Sequence, residues 1–380
     1  MTLAAESAIA LGSPPRAASP ARDRRAELIE LSLVGGATLV LFPLSWWLRA
    51  YVGLDASALA VGFVMFHAAH VINDPHFCVT YLLFYEDARR RAFGADIEPA
   101  QRARWIVAGV VVPVVLVGWA IAALSLRSAQ TLGWMVQLMF LLVGWHYVKQ
   151  GFGVLTVLSA RRDVRFSATE RRTVLAHCYA AWAYAWSSPS TAAGEFVERG
   201  VVYWAVARPP WLELVAGAAL AASTVALLAM LGAKWRRERK LALGPLAAFL
   251  ITVWSWTIYS SIDPLVQYMI PALHSIQYLY FVGLMRRGQA REAEAASPFG
   301  PRVRTRLLVL ALSAVALGWF LLRGAPAFLD GLARRDQTAD ALGATPFFAA
   351  FFVVINLHHY FMDNVIWRRE NPDARHLRAD

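Results

Sequence analysis

Long apolar segments separated by short polar connections dominate the hydrophobic pattern of this chain. A helix of about 20 apolar residues spans the hydrocarbon core of a bilayer. Ten segments approach or exceed that length, and they predict an all-α, polytopic transmembrane bundle of about ten spans. The predicted segments are 28–48, 57–85, 105–126, 131–158, 172–188, 211–232, 243–261, 266–285, 307–322 and 345–366.

The composition supports this interpretation and divides the chain into three parts. Of 380 residues, 58% are hydrophobic and 17% are charged, and the mean hydropathy is +0.45. We predict a single transmembrane domain over residues 27–367. Residues 1–26 are rich in Ala, Pro, Ser and Arg, which predicts a disordered cytoplasmic segment. Residues 368–380 are predicted to form a cytoplasmic tail.

The chain has a net charge of +11, and its basic residues lie mainly in the connections between the predicted spans and in the termini. Alternate connections and the two termini carry 29 Lys and Arg residues, whereas the remaining connections carry seven. This alternation is the positive-inside pattern, and it predicts an even number of spans with both termini in the cytoplasm. We therefore attribute the basic residues to the membrane topology and to attraction between basic side chains and anionic lipid head groups. Nucleic-acid binding is excluded.

The start of the chain predicts how the protein reaches its membrane. No signal peptide with an apolar core and a cleavage site is evident there, so the first span is expected to act as an uncleaved anchor. We predict a multi-pass protein of the cell membrane, in a bacterium the inner membrane. Cys78 and Cys178 lie in apolar segments and predict no disulfide framework.

The stretch from Phe66 to Phe77, FHAAHVINDPHF, carries the densest polar signal inside a predicted span. His67, His70 and Asp74 are spaced i, i+3 and i+7, which places them on one face of a helix. Pro75 predicts a kink or break at Asp74–Pro75. That break would turn His76 back toward the same face. Ionisable groups at membrane depth usually face the bundle interior and serve a function.

Further histidines fall in other predicted spans. His146 shares a helix face with Lys149 and Gln150, and His274 lies close to the face of Gln277. His177 is expected to make a structural hydrogen bond instead, and no role is predicted for His376 in the charged tail.

The last span repeats the spacing of the second. Asn356, His359 and Asp363 follow one another at i, i+3 and i+7, while His358 points about 100° away from His359.

Under the topology derived from charge, the histidine-bearing spans place their histidines at similar depths in the bilayer. A joint site requires such a shared depth, whereas histidines that only join helices do not, so we predict a shared metal site. The predicted ligands are His67, His70, Asp74, His76, His146, His274, His358, His359 and Asp363. Hydrogen bonds that orient these ligands are predicted from Lys149, Gln150, Gln277 and Asn356.

The ligand types restrict the metal. Imidazole and carboxylate groups without a thiolate cluster favour iron, copper or zinc over calcium and magnesium. Six to eight histidines exceed the three protein ligands of a catalytic zinc. Two irons are therefore favoured, and a single iron, copper or haem are the alternatives.

The pattern resembles the integral-membrane multi-histidine di-iron enzymes, the fatty-acid desaturases and hydroxylases. Those families carry HxxxH and HxxHH boxes, where this chain has His67-x-x-His70 and the pair His358-His359. The resemblance implies iron-dependent hydroxylation, desaturation or cleavage of a lipid-like substrate. The sequence shows no flavin, nucleotide or iron–sulfur motif, so such an oxidoreductase would need an external electron donor. The chain also resembles membrane carotenoid-cleaving enzymes, which use four histidines and one iron.

Three other functions are consistent with the sequence. His358 and Asp363 stand as HxxxxD, the spacing in which a carboxylate orients a histidine base in glycerolipid acyltransferases. The membrane-bound O-acyltransferases are similar in span number. A haem carrier could use a histidine pair such as His70 and His359 as axial ligands. A cation transporter could use the same polar layer.

Overall fold

The computed structural model describes residues 24–95, 97–261, 264–297, 300–333 and 342–377. These residues are mostly helical, which confirms the all-α class. The predicted disordered segment 1–26 lies outside the described residues except for its last three, which begin the first helix at Arg24.

Fifteen α-helices and one β-hairpin are seen in the described part of the chain. They are α1 Arg24–Leu31, α2 Thr38–Val52, α3 Leu54–Ala69, α4 Asn73–Tyr85, α5 Ala88–Phe93, α6 Pro99–Ile106, α7 Val112–Ser125, α8 Ala129–Ala160, α9 Ala168–Ser187, β1 Gly194–Glu198, β2 Val201–Ala205, α10 Pro210–Glu238, α11 Leu243–Leu250, α12 Pro264–Ala296, α13 Val303–Trp319, α14 Ala325–Ala333 and α15 Pro346–Ile366. Short π-helical segments continue several of these helices, at Ser32–Gly36, Val107–Val111, Ile251–Ile258 and Phe320–Gly324.

All ten predicted segments fall on these helices, and several helices are suited to a membrane. Five helical stretches are long and apolar enough to cross one, and three of them join two consecutive helices, as Leu54–Tyr85 joins α3 and α4. The number is six if the bent pair Arg24–Gly36 and Thr38–Val52 forms a single span. Large apolar side chains cover much of the outer surface, as lipid contact requires. The protein is therefore membrane-like in construction, while the number ten and the cytoplasmic termini stay predictions.

The second predicted segment is broken at a different place from the one expected. Helix α3 ends at Ala69, residues 70–72 form a hydrogen-bonded turn, and α4 begins at Asn73, so Leu54–Tyr85 remains one candidate membrane span. Pro75 therefore lies in the first turn of α4, where its missing N–H has no helical partner to lose. The interruption predicted at Asp74–Pro75 lies over residues 70–72 instead.

The connection over residues 189–210 contains a β-hairpin that the hydrophobic pattern does not predict. Strands β1 and β2 pair antiparallel. Arg199 and Gly200 form the two-residue turn with positive φ values of 51° and 84°, as a type I′ turn requires. Val201 and Tyr203 are buried in the core with α8, so the hairpin is part of the bundle.

The contact between hairpin and bundle gives a matched pair of glycine variants on α8. A Cβ at Gly133 would lie 2.2 Å from the Tyr203 Cβ, whereas a Cβ at Gly153 meets nothing within 4 Å. Gly133→Ala is expected to destabilise the protein by about 1–3 kcal/mol through overpacking. Gly153→Ala is expected to be neutral or stabilising, because alanine favours helices. Thermal unfolding in detergent checks both, and equal melting temperatures for the two variants would refute the hairpin contact.

The carboxyl end of the described chain folds onto the bundle. Residues Pro372–Leu377 form a 3-10 helix against α12. The Arg91 side chain donates a 2.7 Å hydrogen bond to Asp373, and Arg161 donates to the Leu377 carbonyl at 3.2 Å. His376 is buried there. The predicted cytoplasmic tail is therefore packed against the bundle as far as Leu377, although no role in the metal centre follows for His376.

Four helices meet at one point inside this bundle. Helix α15 packs against α4, α7 and α8, and α12 packs against α4. Each of α4, α8, α12 and α15 contributes one histidine to that point.

Candidate metal centre

Four histidines from four helices form a buried group that could hold a metal ion. One ligand atom from each lies within 4.8 Å of the corresponding atoms of the other three. The rings form a closed cycle, with neighbouring centroids 4.4–5.0 Å apart. None is more than 5% exposed. The group, called here the four-histidine centre, consists of His76, His146, His274 and His359.

The ring nitrogens of this centre are poorly satisfied by the protein. Both nitrogens of His76, both of His359 and Nδ1 of His274 are buried without a hydrogen-bond partner. Asp363 Oδ2 lies 3.2 Å from His359 Nε2 but outside hydrogen-bond geometry. Leaving a buried polar group unpaired costs about 1–3 kcal/mol each. Such a concentration of unpaired acceptors and donors in one place requires an explanation. A metal ion bound by the ring nitrogens provides one.

The distances are compatible with a single ion. Metal–imidazole bonds are about 2.0–2.1 Å long, so two ligands of one ion lie at most about 4.2 Å apart. His146 Nε2 and His274 Nε2 are 3.1 Å apart, near the value of about 3.4 Å expected for two ligands of a tetrahedral ion. The widest separation within the centre would have to contract by roughly half an ångström on metal binding.

Asp363 adds a carboxylate to the edge of the centre. Its Oδ2 lies 3.2 Å from His359 Nε2 and 3.7 Å from His146 Nε2. Its Oδ1 accepts a 2.7 Å hydrogen bond from the Tyr278 hydroxyl, which also contacts Thr80 Oγ1 at 2.7 Å. The carboxylate is thus fixed on one side and faces the imidazoles on the other. In this position it can bind the metal or hold a ligand ring.

Three predicted ligands on the second segment do not join the centre. His67 packs its ring against the Phe63 and Phe66 rings. His70 Nδ1 lies 3.6 Å from Asp74 Oδ2, and its side chain is 37% exposed. The predicted face does form, since the His67 and His70 rings are 6.3 Å apart and His70 contacts Asp74, but this face does not point toward the centre. His67 is exposed, and Asp74 contacts Arg323. Of the second segment, His76 alone reaches the centre.

His358 is also directed elsewhere, and both of its ring nitrogens are used. Nδ1 lies 3.0 Å from the Tyr81 hydroxyl and Nε2 lies 2.9 Å from the Ala108 carbonyl oxygen. A metal would have to displace one of these hydrogen bonds. His177, predicted to be structural, is buried with Nδ1 3.2 Å from the Ser223 hydroxyl.

The residues predicted to support the ligands are placed unequally. Gln150 donates to the Gln277 side chain at 2.7 Å and to the His274 carbonyl oxygen at 3.3 Å, so this pair holds the helix that carries His274. Asn356 instead donates to the Phe352 carbonyl oxygen at 2.7 Å. Lys149 places its ammonium group 5.9 Å from the Phe152 ring centroid.

Tyr278 and Thr80 are the functional candidates that the sequence analysis missed. Each follows a histidine of the centre by four residues, and the same spacing relates His146 to Gln150 and His359 to Asp363. Residues four apart share a helix face. Every helix of the centre therefore carries a polar side chain one turn beyond its histidine, a repeated signal that could have identified both residues.

Comparison with known proteins does not assign the chain to a family. No protein-family model matches it, and no curated protein and no solved structure matches it either. Function must therefore be inferred from the chemistry of the centre.

Proposed function

We propose that this protein is a membrane-embedded iron enzyme that oxidises a lipid-like substrate at the four-histidine centre. The observation that carries the proposal is the convergence of four buried imidazoles, several of them unpaired, from four helices. Ionisable and metal-binding groups inside a membrane bundle are usually functional.

A single ion fits the centre better than the two irons favoured by the sequence. Asp74 contacts Arg323 and His70, outside the centre. Removing it together with His67, His70 and His358 from the ligand set leaves four histidines and one nearby carboxylate around one point. This set fills most of the coordination sphere of one metal. A second ion would need ligands that the described residues do not place there.

The ligand set favours iron as that ion. A zinc held by four protein ligands has a closed site, which is typical of a structural role. Iron held by the four imidazoles could also be bound by Asp363, and it would supply oxygen chemistry there, because imidazole and carboxylate ligands with open positions suit iron in that chemistry. Copper is the second candidate metal.

Electron balance distinguishes the reactions that such a centre can support. Cleavage of a carbon–carbon double bond by O₂ places one oxygen atom on each carbon and gives two carbonyl groups, with no other reductant. Hydroxylation places one oxygen atom in the product and reduces the other to water, whereas desaturation reduces both to water. Each of these two reactions consumes two electrons and two protons from a donor. The sequence shows no electron-carrier motif, so cleavage is the favoured reaction. A donor protein would be needed for the others.

The acyltransferase alternative depends on contact between His358 and Asp363. Asp363 instead lies beside His359 and accepts from Tyr278, while His358 bonds to Tyr81 and the Ala108 carbonyl oxygen. A residue five positions along an α-helix is rotated by about 140°, so this divergence follows from helix geometry.

A haem carrier fits the centre poorly as well. Axial histidines approach haem iron from opposite faces and leave the plane between them to the macrocycle. The four imidazoles here surround one point, so two of them would overlap that plane. His70, offered as one axial ligand, lies beside Asp74 instead.

The membrane arrangement completes the proposal. The charge alternation supports about ten spans with both termini in the cytoplasm of a cell membrane. The substrate then reaches the buried centre laterally, from the lipid phase.

Oxygen consumption tests the proposed reaction. The purified protein, loaded with iron(II) in nanodiscs, is supplied with total membrane lipid or with β-carotene as a polyene probe. We expect oxygen uptake and new carbonyl products that carry ¹⁸O from ¹⁸O₂. His177→Ala, which changes a buried histidine outside the centre, is expected to retain this activity. Equal transfer of acyl groups with and without a chelator, and no oxygen uptake, would contradict the proposal.

A further inference from the structure

Two arginines lie beside one aromatic ring near the start of α15, next to the β-hairpin. Arg199 stands in the turn between β1 and β2, and Arg323 lies in the π-helical segment Phe320–Gly324. The Cζ atom of each lies 5.7 Å from the ring centroid of Phe348 on α15. The hairpin and the helix that follows α13 therefore bring two guanidinium groups to the same place.

Carboxylates engage only one edge of each guanidinium group. Arg199 Nε lies 3.4 Å from Glu198 Oε1, and Arg323 Nε donates to Asp74 Oδ2 at 3.4 Å. Both contacts are long for charge-assisted hydrogen bonds, which are about 2.7–2.9 Å. Among the described residues, the terminal amino groups of the two arginines have no hydrogen-bond or ion-pair partner. Four NH₂ groups thus remain for a ligand.

The exposure and surroundings of these arginines suit an external anion. The side chain of Arg199 is 36% exposed and that of Arg323 is 19% exposed. Aromatic faces support the guanidinium planes, with Arg199 4.3 Å from the Phe352 centroid and Arg323 4.7 Å from that of Phe66. A stacked, planar guanidinium with unpaired amino groups is suited to carboxylates and phosphates.

Helix α15 connects this arginine pair to the four-histidine centre. Phe352, whose ring centroid lies 4.3 Å from the Arg199 Cζ atom, precedes His359 by seven residues, so the two side chains share one face of α15 about 10 Å apart along its axis. Asp74, which contacts Arg323, lies on the opposite side of α4 from His76, because two residues turn a helix by about 200°. Gly318 of α13 packs so closely on Asp74 that a Cβ would lie 2.9 Å from the Asp74 carbonyl carbon, which holds α13 against that side of α4.

We propose that Arg199 and Arg323 bind the acidic head group of an amphipathic substrate, a carboxylate or a phosphate. The inference rests on the proposed oxidation of a lipid-like molecule and specifies its polar end. With the head group on the arginines, the apolar chain would follow the face of α15 that carries Phe352 and His359 toward the four-histidine centre. The arginine pair then selects acidic amphiphiles over neutral ones and determines which carbon meets the metal.

Binding in nanodiscs of neutral lipid tests this assignment with three probes of equal chain length. Palmitate carries a carboxylate, 1-palmitoyl-lysophosphatidate carries a phosphate, and hexadecanol carries no charge. We expect at least one acidic probe to bind on the order of tenfold more tightly than hexadecanol, since only an acidic head group can accept charge-assisted hydrogen bonds from the guanidinium groups. The tighter acidic probe identifies the head group.

Matched variants test whether Arg199 and Arg323 cause the preference for acidic probes over hexadecanol. Arg199→Ala and Arg323→Gln should each reduce acidic-probe affinity about tenfold, with hexadecanol binding unchanged. Arg208→Ala removes a guanidinium stacked 5.1 Å from the Trp186 centroid and should change neither. Iron content, measured on every variant, checks folding and the metal centre independently. A wild-type protein that binds hexadecanol as tightly as both acidic probes would overturn the inference, even with iron and oxygen uptake intact. So would an unchanged preference in both arginine variants.

Discussion

Replacing His76 with alanine is expected to abolish most metal binding while leaving the metal-free fold intact. Both ring nitrogens of His76 are buried without a partner, so the substitution breaks no hydrogen bond of the protein. Adding iron(II) should raise the melting temperature of the wild type, because a ligand that binds only the folded state stabilises it. The variant should show no such rise. The variant should lose more than about 100-fold in iron affinity, because losing a residue that only supports a metal ligand typically costs about 10–100-fold.

His70 and His358 provide controls for that experiment. Both were predicted as ligands, yet one lies beside Asp74 and the other bonds to Tyr81 and the Ala108 carbonyl oxygen. His70→Ala should retain full metal content. His358→Ala should lower stability through its lost hydrogen bonds and still show the iron-dependent rise. A His70→Ala protein that lost its metal as completely as His76→Ala would show that the ligand set is wrong.

Substituting Asp363 by asparagine is expected to weaken iron binding by about 10–100-fold, the usual cost of losing a partner that supports a metal ligand. The amide keeps the size of the side chain and can still accept from the Tyr278 hydroxyl, but it lacks the negative charge that faces His359 and His146. Excess iron(II) should restore both metal content and oxygen uptake. If Asp363 instead served an acyl transfer through His358, activity would be lost and no metal would restore it.

Asp330 supplies the matched control for Asp363. It is a buried carboxylate that accepts hydrogen bonds from the backbone N–H groups of Phe347 and Phe348, at the start of the same helix, α15. Asp330→Asn should reduce the stability of the fold, since a helix cap contributes about 0.5–2 kcal/mol. Iron affinity should not change. Equal losses of affinity in the two variants would mean that Asp363 acts only on stability.

The sequence predicts the helices of this protein better than its strands. Apolar length is a strong signal, and all ten predicted segments are helical. The hairpin was missed because its turn, Arg199-Gly200, lacks the Asn-Gly or Asp-Gly pair that usually marks such turns. Its burial depends on contacts with distant residues, such as Tyr203 against Gly133, which local pattern cannot reveal.

The candidate site shows where helix geometry succeeds and where it fails as a guide. Shared depth predicted His67, His70 and His358 together with the four histidines of the centre, and the structure brings only those four together. His67, His70 and Asp74 do share one face, as their spacing predicts. Neither depth nor a shared face reveals whether that face points toward the centre, because this depends on packing between helices. The position of Asp363 could have indicated which of the adjacent histidines belongs to the centre. Asp363 follows His359 by four residues, which places both on one helix face, and follows His358 by five, which does not.

Metal analysis of the purified protein, combined with X-ray absorption at the iron edge, tests the central claim most directly. We predict about one iron per chain, with a first shell of nitrogen and oxygen and no iron–iron scattering. His76→Ala should lack that iron, and His177→Ala should retain it. Two irons per chain with a short iron–iron vector, or an iron that persists when His76 is replaced, would contradict a single metal ion held by the four-histidine centre.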